Sequence, residues 1–350
     1  MKIGILTFHW GTNYGAILQA YCLQEYLKTY GYLVSIINYK PRQYDFLWSK
    51  YIKKPWLIRN INRDLINKKK ELLLKTFRVS HLDTTRRYFL LQDLIKDIDD
   101  YDVLISGSDQ VLNPGFTISG ENGRPSTAYW LNYGKKDIIR LGYAVSFGCE
   151  KYPENAIQIA KQQVDSFNAI GVREKTGMDI IRQLGYKGPI NILPDPTLLL
   201  GKELFKKLSI TLPQNKCEYT CVYMLRHEVH IDGNVRYIDE KHHPLTMEQW
   251  LETIVNAGRL ITNSYHGVIM AILSHVPFVV LLETGDARGM NDRFYTLFRR
   301  LGVENRLVSS IEEASVVLKQ KTDFEMIDNA IDSYRKDGID FLNTHVCKNN

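Results

Sequence analysis

A chain of 350 residues is too long for one ordinary core and predicts two domains. Hydrophobic residues at 44% and charged residues at 24% exclude a disordered chain, and no apolar run approaches the ~18 residues of a membrane span. The start MKIGILTFHWG lacks the charged head and cleavage site of a signal peptide, so a cytoplasmic protein is expected. Cys22, Cys149, Cys217, Cys221 and Cys347 are odd in number and scattered, which fits a reducing compartment, and neither they nor the adjacent His242 and His243 have the spacing of a required metal site.

The first forty residues read as strand, helix, strand. Residues 2–7 form a short apolar strand, and a helix begins near Tyr14 after the loop FHWGTN. Ala16, Ala20, Leu23 and Leu27 fall on one helical face, Gly31 stops the helix, and residues 33–38 give the next strand. Such a unit implies parallel pairing.

From Lys40 to Leu90 there are fourteen Lys or Arg against four Asp or Glu, a balance of +10 that leaves the rest of the chain at −4. Tyr44, Phe46, Trp48, Tyr51, Trp56 and Phe77 are interleaved with this charge. Basic residues mixed with aromatics suit an anionic surface such as lipid headgroups, or else a solvated helix face; no nucleic-acid recognition motif accompanies them.

Further on, residues 102–107, 143–148 and 169–173 read as buried strands, the last followed by the helical stretch EKTGMDIIRQLG. From Tyr219 the theme repeats: YTCVYML and VRYID as strands, then a helix opened by a Thr246/Gln249 capping box and stopped by Gly258. The strand LIT, the turn NSYHG, the helix VIMAILSH and the strand FVVLL complete it, and LPDPTLLLG is the passage between halves. The expected fold is α/β, with doubly wound domains over residues 1–190 and 191–350 facing across a cleft, the last helix free to pack back on the first domain.

Ligands of open α/β sheets bind outside the carboxyl ends of strands, near helix N-termini. Five turns qualify: GTNYG at 11–15, GSDQ at 107–110, SFG at 146–148, VRE at 172–174 and NSYHG at 263–267. GTNYG lacks the full dinucleotide fingerprint, so it reads as a substrate loop in which Asn13, Tyr14 and Gly15 meet a sugar, or as an ordinary cap. Asp109, next to Ser108, is placed to bind or deprotonate a hydroxyl, or else to cap a turn. Arg173 ends an apolar strand and needs an anion; Glu174 should point the other way, leaving another acid or a ligand carboxylate or phosphate. His266 lies in the first turn of a helix, where the dipole disfavours an imidazolium unless an anion is bound beside it.

Taken together, GILTFHWGTNYGAILQAYCLQEYLKTYGYLVSIINYKP, LISGSDQVLNP, YAVSFG, VREKTG, LPDPTLLL and ITNSYHGVIMAILSHVPFVVLLE resemble the polysaccharide pyruvyl transferase family, in the family's order and over most of the chain. The resemblance implies a GT-B-like fold of two Rossmann-like domains, an acceptor-side N-terminal and a donor-side C-terminal one. It implies transfer of pyruvate from phosphoenolpyruvate, the co-substrate, onto two hydroxyls of one sugar, giving a cyclic ketal and phosphate without a further cofactor. The acceptor is expected to be a lipid-linked oligosaccharide of a capsule or exopolysaccharide, met at the inner face of the cytoplasmic membrane. The family's basic residues match Arg173 and His266, with His266 as acid and Asp109 a weaker candidate base; Ser264 and Gly267 belong to the same donor turn.

At one point the resemblance breaks. Some relatives carry an arginine two residues before the histidine, where this chain has Ser264, and Arg293 or Arg288 is the expected replacement. The rival readings are a nucleotide-sugar glycosyltransferase, with Glu283 as the acid that contacts ribose, and a catalytically silent sugar-binding module of an assembly complex.

Overall fold

Residues 1–45 and 61–346 are described by a computed structural model, apart from the side chains of residues 286 and 287. Phe46, Trp48, Tyr51, Trp56 and Cys347, singled out above, lie outside the described residues. The first sheet contains β1 (Lys2–Leu6), β2 (Leu33–Ile36), β3 (Val103–Ser106), β4 (Ile139–Val145), β5 (Ala169–Val172) and β6 (Ile190–Ile192) in the order β2-β1-β3-β4-β5-β6. The second contains β7 (Thr220–Tyr223), β8 (Val235–Tyr237), β9 (Arg259–Thr262), β10 (Phe278–Leu281) and β11 (Leu307–Val308) in the order β11-β10-β9-β7-β8. Every neighbouring pair is parallel.

Each sheet has one switch point, where the chain leaves in opposite directions: between β1 and β3 in the first, between β7 and β9 in the second. Loops at such a point diverge and leave a crevice. β6 still pairs in the first sheet, so the passage between sheets begins after Ile192.

β4 starts four residues earlier than the sequence reading because Arg140 is no obstacle to burial. Its guanidinium donates to the carbonyls of Leu131, Ile138, Tyr133 and Lys135, and every charge-bearing nitrogen is satisfied.

Helix α1 (Tyr14–Lys28) is buried all round rather than on one face. Ala20, Leu23 and Leu27 pack on the first sheet, while Tyr14, Ile17, Leu18 and Tyr21 join the core of the second domain. There Tyr14 stacks on Trp250 of helix α5 (Met247–Val255), centroids 5.2 Å apart at 7°. Helix α2 (Ile61–His81) adds Leu74 and Phe77 to the same core, and its buried Lys70 pairs with Glu240, which also accepts from Tyr223. The last helix, α8 (Phe324–His345), straddles both halves, with Ile331 and Tyr334 in the second core and Phe341 and Leu342 in the first. A shared core behind the cleft fixes how its walls face each other.

Candidate functional site

Both switch points open into one cleft of about 390 Å³. Its first wall comes from the loops after β1 and β3: Phe8, Trp10, Gly11, Asn13, Asp109, Gln110 and Asn113. Its second wall comes from the loops after β7, β9 and β10: Leu225, Arg226, Ser264, Tyr265, His266, Met290 and Arg293. Gln110 bridges the two, its Nε2 3.3 Å from Met290 Sδ.

Beneath the cleft lies a buried hub that sequence reading missed. Asp195, with no exposed surface, opens helix α4 (Pro196–Leu200) as its N-cap and accepts from Thr197 N at 3.0 Å and Thr197 Oγ1 at 2.7 Å. Its other oxygen accepts from Ser108 Oγ at 2.8 Å and stands 3.3 Å from Arg173 Nη1 and 3.4 Å from His266 Nε2. Burial alone would raise its pKa; His266, Arg173 and the Thr197 N–H outweigh it and hold the carboxyl well below the usual range. The sequence signal existed in Asp-Pro-Thr, an N-cap residue followed by proline at the first helical position.

Arg173 is fully buried, its guanidinium 4.7 Å from the Tyr265 ring centroid, and it does not line the cleft. Its anions are supplied by the protein: Asp195, and Glu174 with Oε2 3.7 Å from Arg173 Nε. The expectation that Glu174 points away was wrong because Glu174 lies past the end of β5, where strand alternation no longer holds; it stands just before helix α3 (Lys175–Gln183), and its carboxylate accepts from Ser146 Oγ and Phe147 N rather than from the helix. Burial alone would strip charge from Arg173, yet Glu174, Tyr265 and Asp195 raise its pKa above the ordinary arginine value. Burial also raises Glu174. Arg173 Nε and Nη2 make no hydrogen bond among the described residues.

Helix α6 (Tyr265–Leu273) begins at the carboxyl end of β9, with Ser264 as N-cap, its hydroxyl oxygen accepting from Gly267 N at 3.2 Å. His266 in its first turn is 6% exposed and lines the cleft. The start of α1 presses on it so closely that a Cβ on Gly15 would lie 2.0 Å from His266 Nδ1. Glycine here lets two helix N-termini meet at one imidazole.

Ser264 leaves the arginine question to two other residues. Arg293, in helix α7 (Asp292–Leu301), reaches the cleft 5.6 Å from the Tyr265 ring centroid, with Nε buried and unpartnered among the described residues. Burial, aided by Arg173, lowers its pKa to about 10. The second is Arg226, at the mouth of β7 and missed in the sequence. Its Nη1 donates to Glu283 at 2.8 Å while 40% of the side chain stays exposed. Glu283 in turn accepts from Asn263 Nδ2 at 2.8 Å, so the NSYHG turn itself orients the pair.

The other predicted residues divide plainly. Asn13 and Asp109 line the cleft; Asn13 caps α1, and Asp109 adopts φ 94°, a strained backbone for a non-glycine residue. Ser108 and Tyr14 do not reach it: Ser108 is spent on Asp195, and the Tyr14 hydroxyl donates to Leu245 O. Their expected sugar contact is thereby corrected, since both side chains turn into the core. Gly267 packs on Tyr223 and Ser264, and Arg288 is exposed and off the cleft wall. Glu283 is consumed by Arg226 and Asn263 and does not line the cleft. Among the described residues no three His, Cys, Asp or Glu side chains gather as a metal site, and no helix is long and apolar enough to cross a membrane.

Solved structures share this architecture at low identity. A UDP-GlcNAc 2-epimerase from Methanocaldococcus jannaschii is 11% identical over 95% of this chain and 99% of its own, TM-score 0.49. A Listeria monocytogenes protein predicted to be a UDP-N-acetylglucosamine 2-epimerase is 10% identical over 97% and 94%, TM-score 0.50. An O-GlcNAc transferase from Thermobaculum terrenum is 10% identical over 97% and 63%, TM-score 0.43. With two parallel sheets across a cleft, the fold is GT-B-like. No curated protein matches the chain in sequence. The family model of polysaccharide pyruvyl transferases matches residues 13–283, which takes in the second switch point and every residue of the Asp195 hub, and the chain belongs to that family.

Proposed function

We propose that the protein transfers pyruvate from phosphoenolpyruvate to two hydroxyls of one sugar in a surface-polysaccharide precursor. The observation that carries this reading is the asymmetry of the cleft, cationic on one wall and neutral to acidic on the other. Phosphoenolpyruvate carries a phosphate and a carboxylate, and Arg226, Arg293 and the start of α6 offer charge-assisted donors for both. Arg226 takes the place of the arginine absent at Ser264. The sugar then lies against Asn13, Asp109 and Gln110.

In the reaction, His266 protonates C3 of the enol, and C2 becomes oxocarbenium-like. One sugar hydroxyl adds to C2, giving its proton to Asp109. The C2–O bond to phosphate breaks, the phosphate leaving with its bonding electron pair, and the second hydroxyl closes the ketal as its proton passes to phosphate. Asp195 stabilises the charged imidazole from behind, and Arg173 acts through Asp195 and Tyr265 as a positioning residue. A lipid-linked acceptor remains part of the proposal as the form in which such a precursor is presented.

Glycosyl transfer from a nucleotide-sugar is less well supported, because Glu283, the acid nominated for ribose, is already engaged by Arg226 and Asn263. The test is phosphate release from phosphoenolpyruvate that requires a sugar, with the product checked by mass for pyruvate less water. His266→Ala should lower kcat by about 10²- to 10⁴-fold, the range of lost general acid catalysis. Full activity in that folded variant rejects the assignment of His266, and turnover of UDP-sugars alone rejects the reaction.

A further inference from the structure

The geometry points to a second, neutral sugar subsite beside the cleft, formed by the loop after β1, the chain after β2 and helix α2. This rests on the pyruvyl-transfer reading and deepens it: the acceptor is a disaccharide or longer, and the residue next to the modified sugar is held there. The subsite is a cavity of about 260 Å³, and it shares Trp10 and Gly11 with the main cleft, so one chain of sugars can occupy both.

Its chemistry differs from that of the donor wall. Trp10 and Tyr44 supply adjoining aromatic rings, centroids 4.8 Å apart and inclined at 34°. Around them stand groups that offer both donors and acceptors, among them Asn67, Lys68 and Glu71. The charges are mutually engaged: Lys40 Nζ lies 3.4 Å from Asp45 and 3.3 Å from Glu71, and Lys68 Nζ 3.3 Å from Glu71. Among the described residues of its lining, two lysines stand against Asp45, Asp64 and Glu71, with no excess of positive charge for a phosphate. Hydroxyls, which donate and accept at once, match such a lining, and apolar sugar faces match the rings.

The site is also held in shape before any ligand arrives. Arg78 Nη1 donates to Gly11 O at 3.1 Å, and Gln43 Nε2 donates to the carbonyls of Ser119 and Gly120, each at 3.1 Å. A preformed lining costs little ordering on binding.

The test compares methyl glycosides of galactose, glucose and N-acetylmannosamine with disaccharides that carry the same terminal sugar. In the wild type the disaccharide should have a kcat/KM about tenfold higher, the worth of one or two added hydrogen bonds. Asn67 is exposed on α2, so Asn67→Trp fills the cavity mouth without entering the core, and it should bring that ratio to about one while the thermal midpoint stays put. Equal use of monosaccharide and disaccharide by the wild type overturns the subsite and leaves pyruvyl transfer intact. If no sugar releases phosphate from phosphoenolpyruvate, the pyruvyl reading falls, and saturation-transfer NMR with the disaccharides decides the subsite alone. Signal lost in Asn67→Trp then supports it, and equal or absent signal in both proteins overturns it.

Discussion

The two walls of the cleft are built to one plan and carry opposite chemistry. Each is the switch point of a parallel sheet, with loops leaving strand ends and a helix N-terminus aimed inward. The first wall has aromatics, amides and Asp109 but no lysine or arginine, whereas the second has Arg226, His266 and Arg293. The fold supplies two equivalent crevices, and side chains alone set the charge of each. The buried hub joins them, since Ser108 comes from the first switch point and His266 from the second, and both meet at Asp195.

The comparison breaks most severely at that hub. Asp195→Ala removes the anion shared by Arg173 and His266 and should cost about 3–5 kcal/mol of stability, read by urea unfolding. A cost under about 1 kcal/mol would show that the hub does not join the walls. Next in size is Gly15→Ala, whose methyl group must displace His266 or the start of α1. Misplacement by about 1 Å is worth roughly a hundredfold in kcat, with stability largely kept; an unchanged kcat would mean that the contact between helix ends is idle.

Acid should weaken the first wall through His9. Burial is the main cause that lowers its pKa to about 4, against contacts to Thr7 O and Asn38 that raise it. A histidine with a depressed folded pKa favours the fold when neutral, so this stability is complete above the ordinary value near 6.5 and is lost as pH falls from there toward 4. Between pH 7 and 5 the loss should be about 2 kcal/mol in unfolding free energy, and His9→Gln should flatten that part of the profile. A profile that stays as steep in His9→Gln would move the cause elsewhere.

Much of the fold was legible because its signals are local. The capping box of Thr246 and Gln249 and the NSYHG turn form where their residues predict, and so do the apolar strands read from the sequence, apart from the early start of β4. Long-range pairing was not legible. The positive excess of residues 40–90 is met partly from elsewhere in the chain: Lys70 pairs with Glu240 and Arg86 with Asp97, while Lys40 and Arg87 share Asp45 within the segment. Arg173 was rightly read as needing an anion, but the anion is Asp195, 22 residues away, together with a neighbour that strand alternation seemed to exclude. Arg226 gave no local signal, because an arginine at a strand end acquires meaning only when Glu283 is folded against it.

The most direct test of the division between walls is a pair of Michaelis constants measured in two variants. Arg226→Ala should raise the KM for phosphoenolpyruvate about tenfold and leave that for the sugar acceptor unchanged, since it removes charge-assisted hydrogen bonds on the donor side only. Asn13→Ala should do the reverse. If either variant shifts both constants together, or if each shifts the other's substrate, donor and acceptor do not occupy separate walls and the account is wrong.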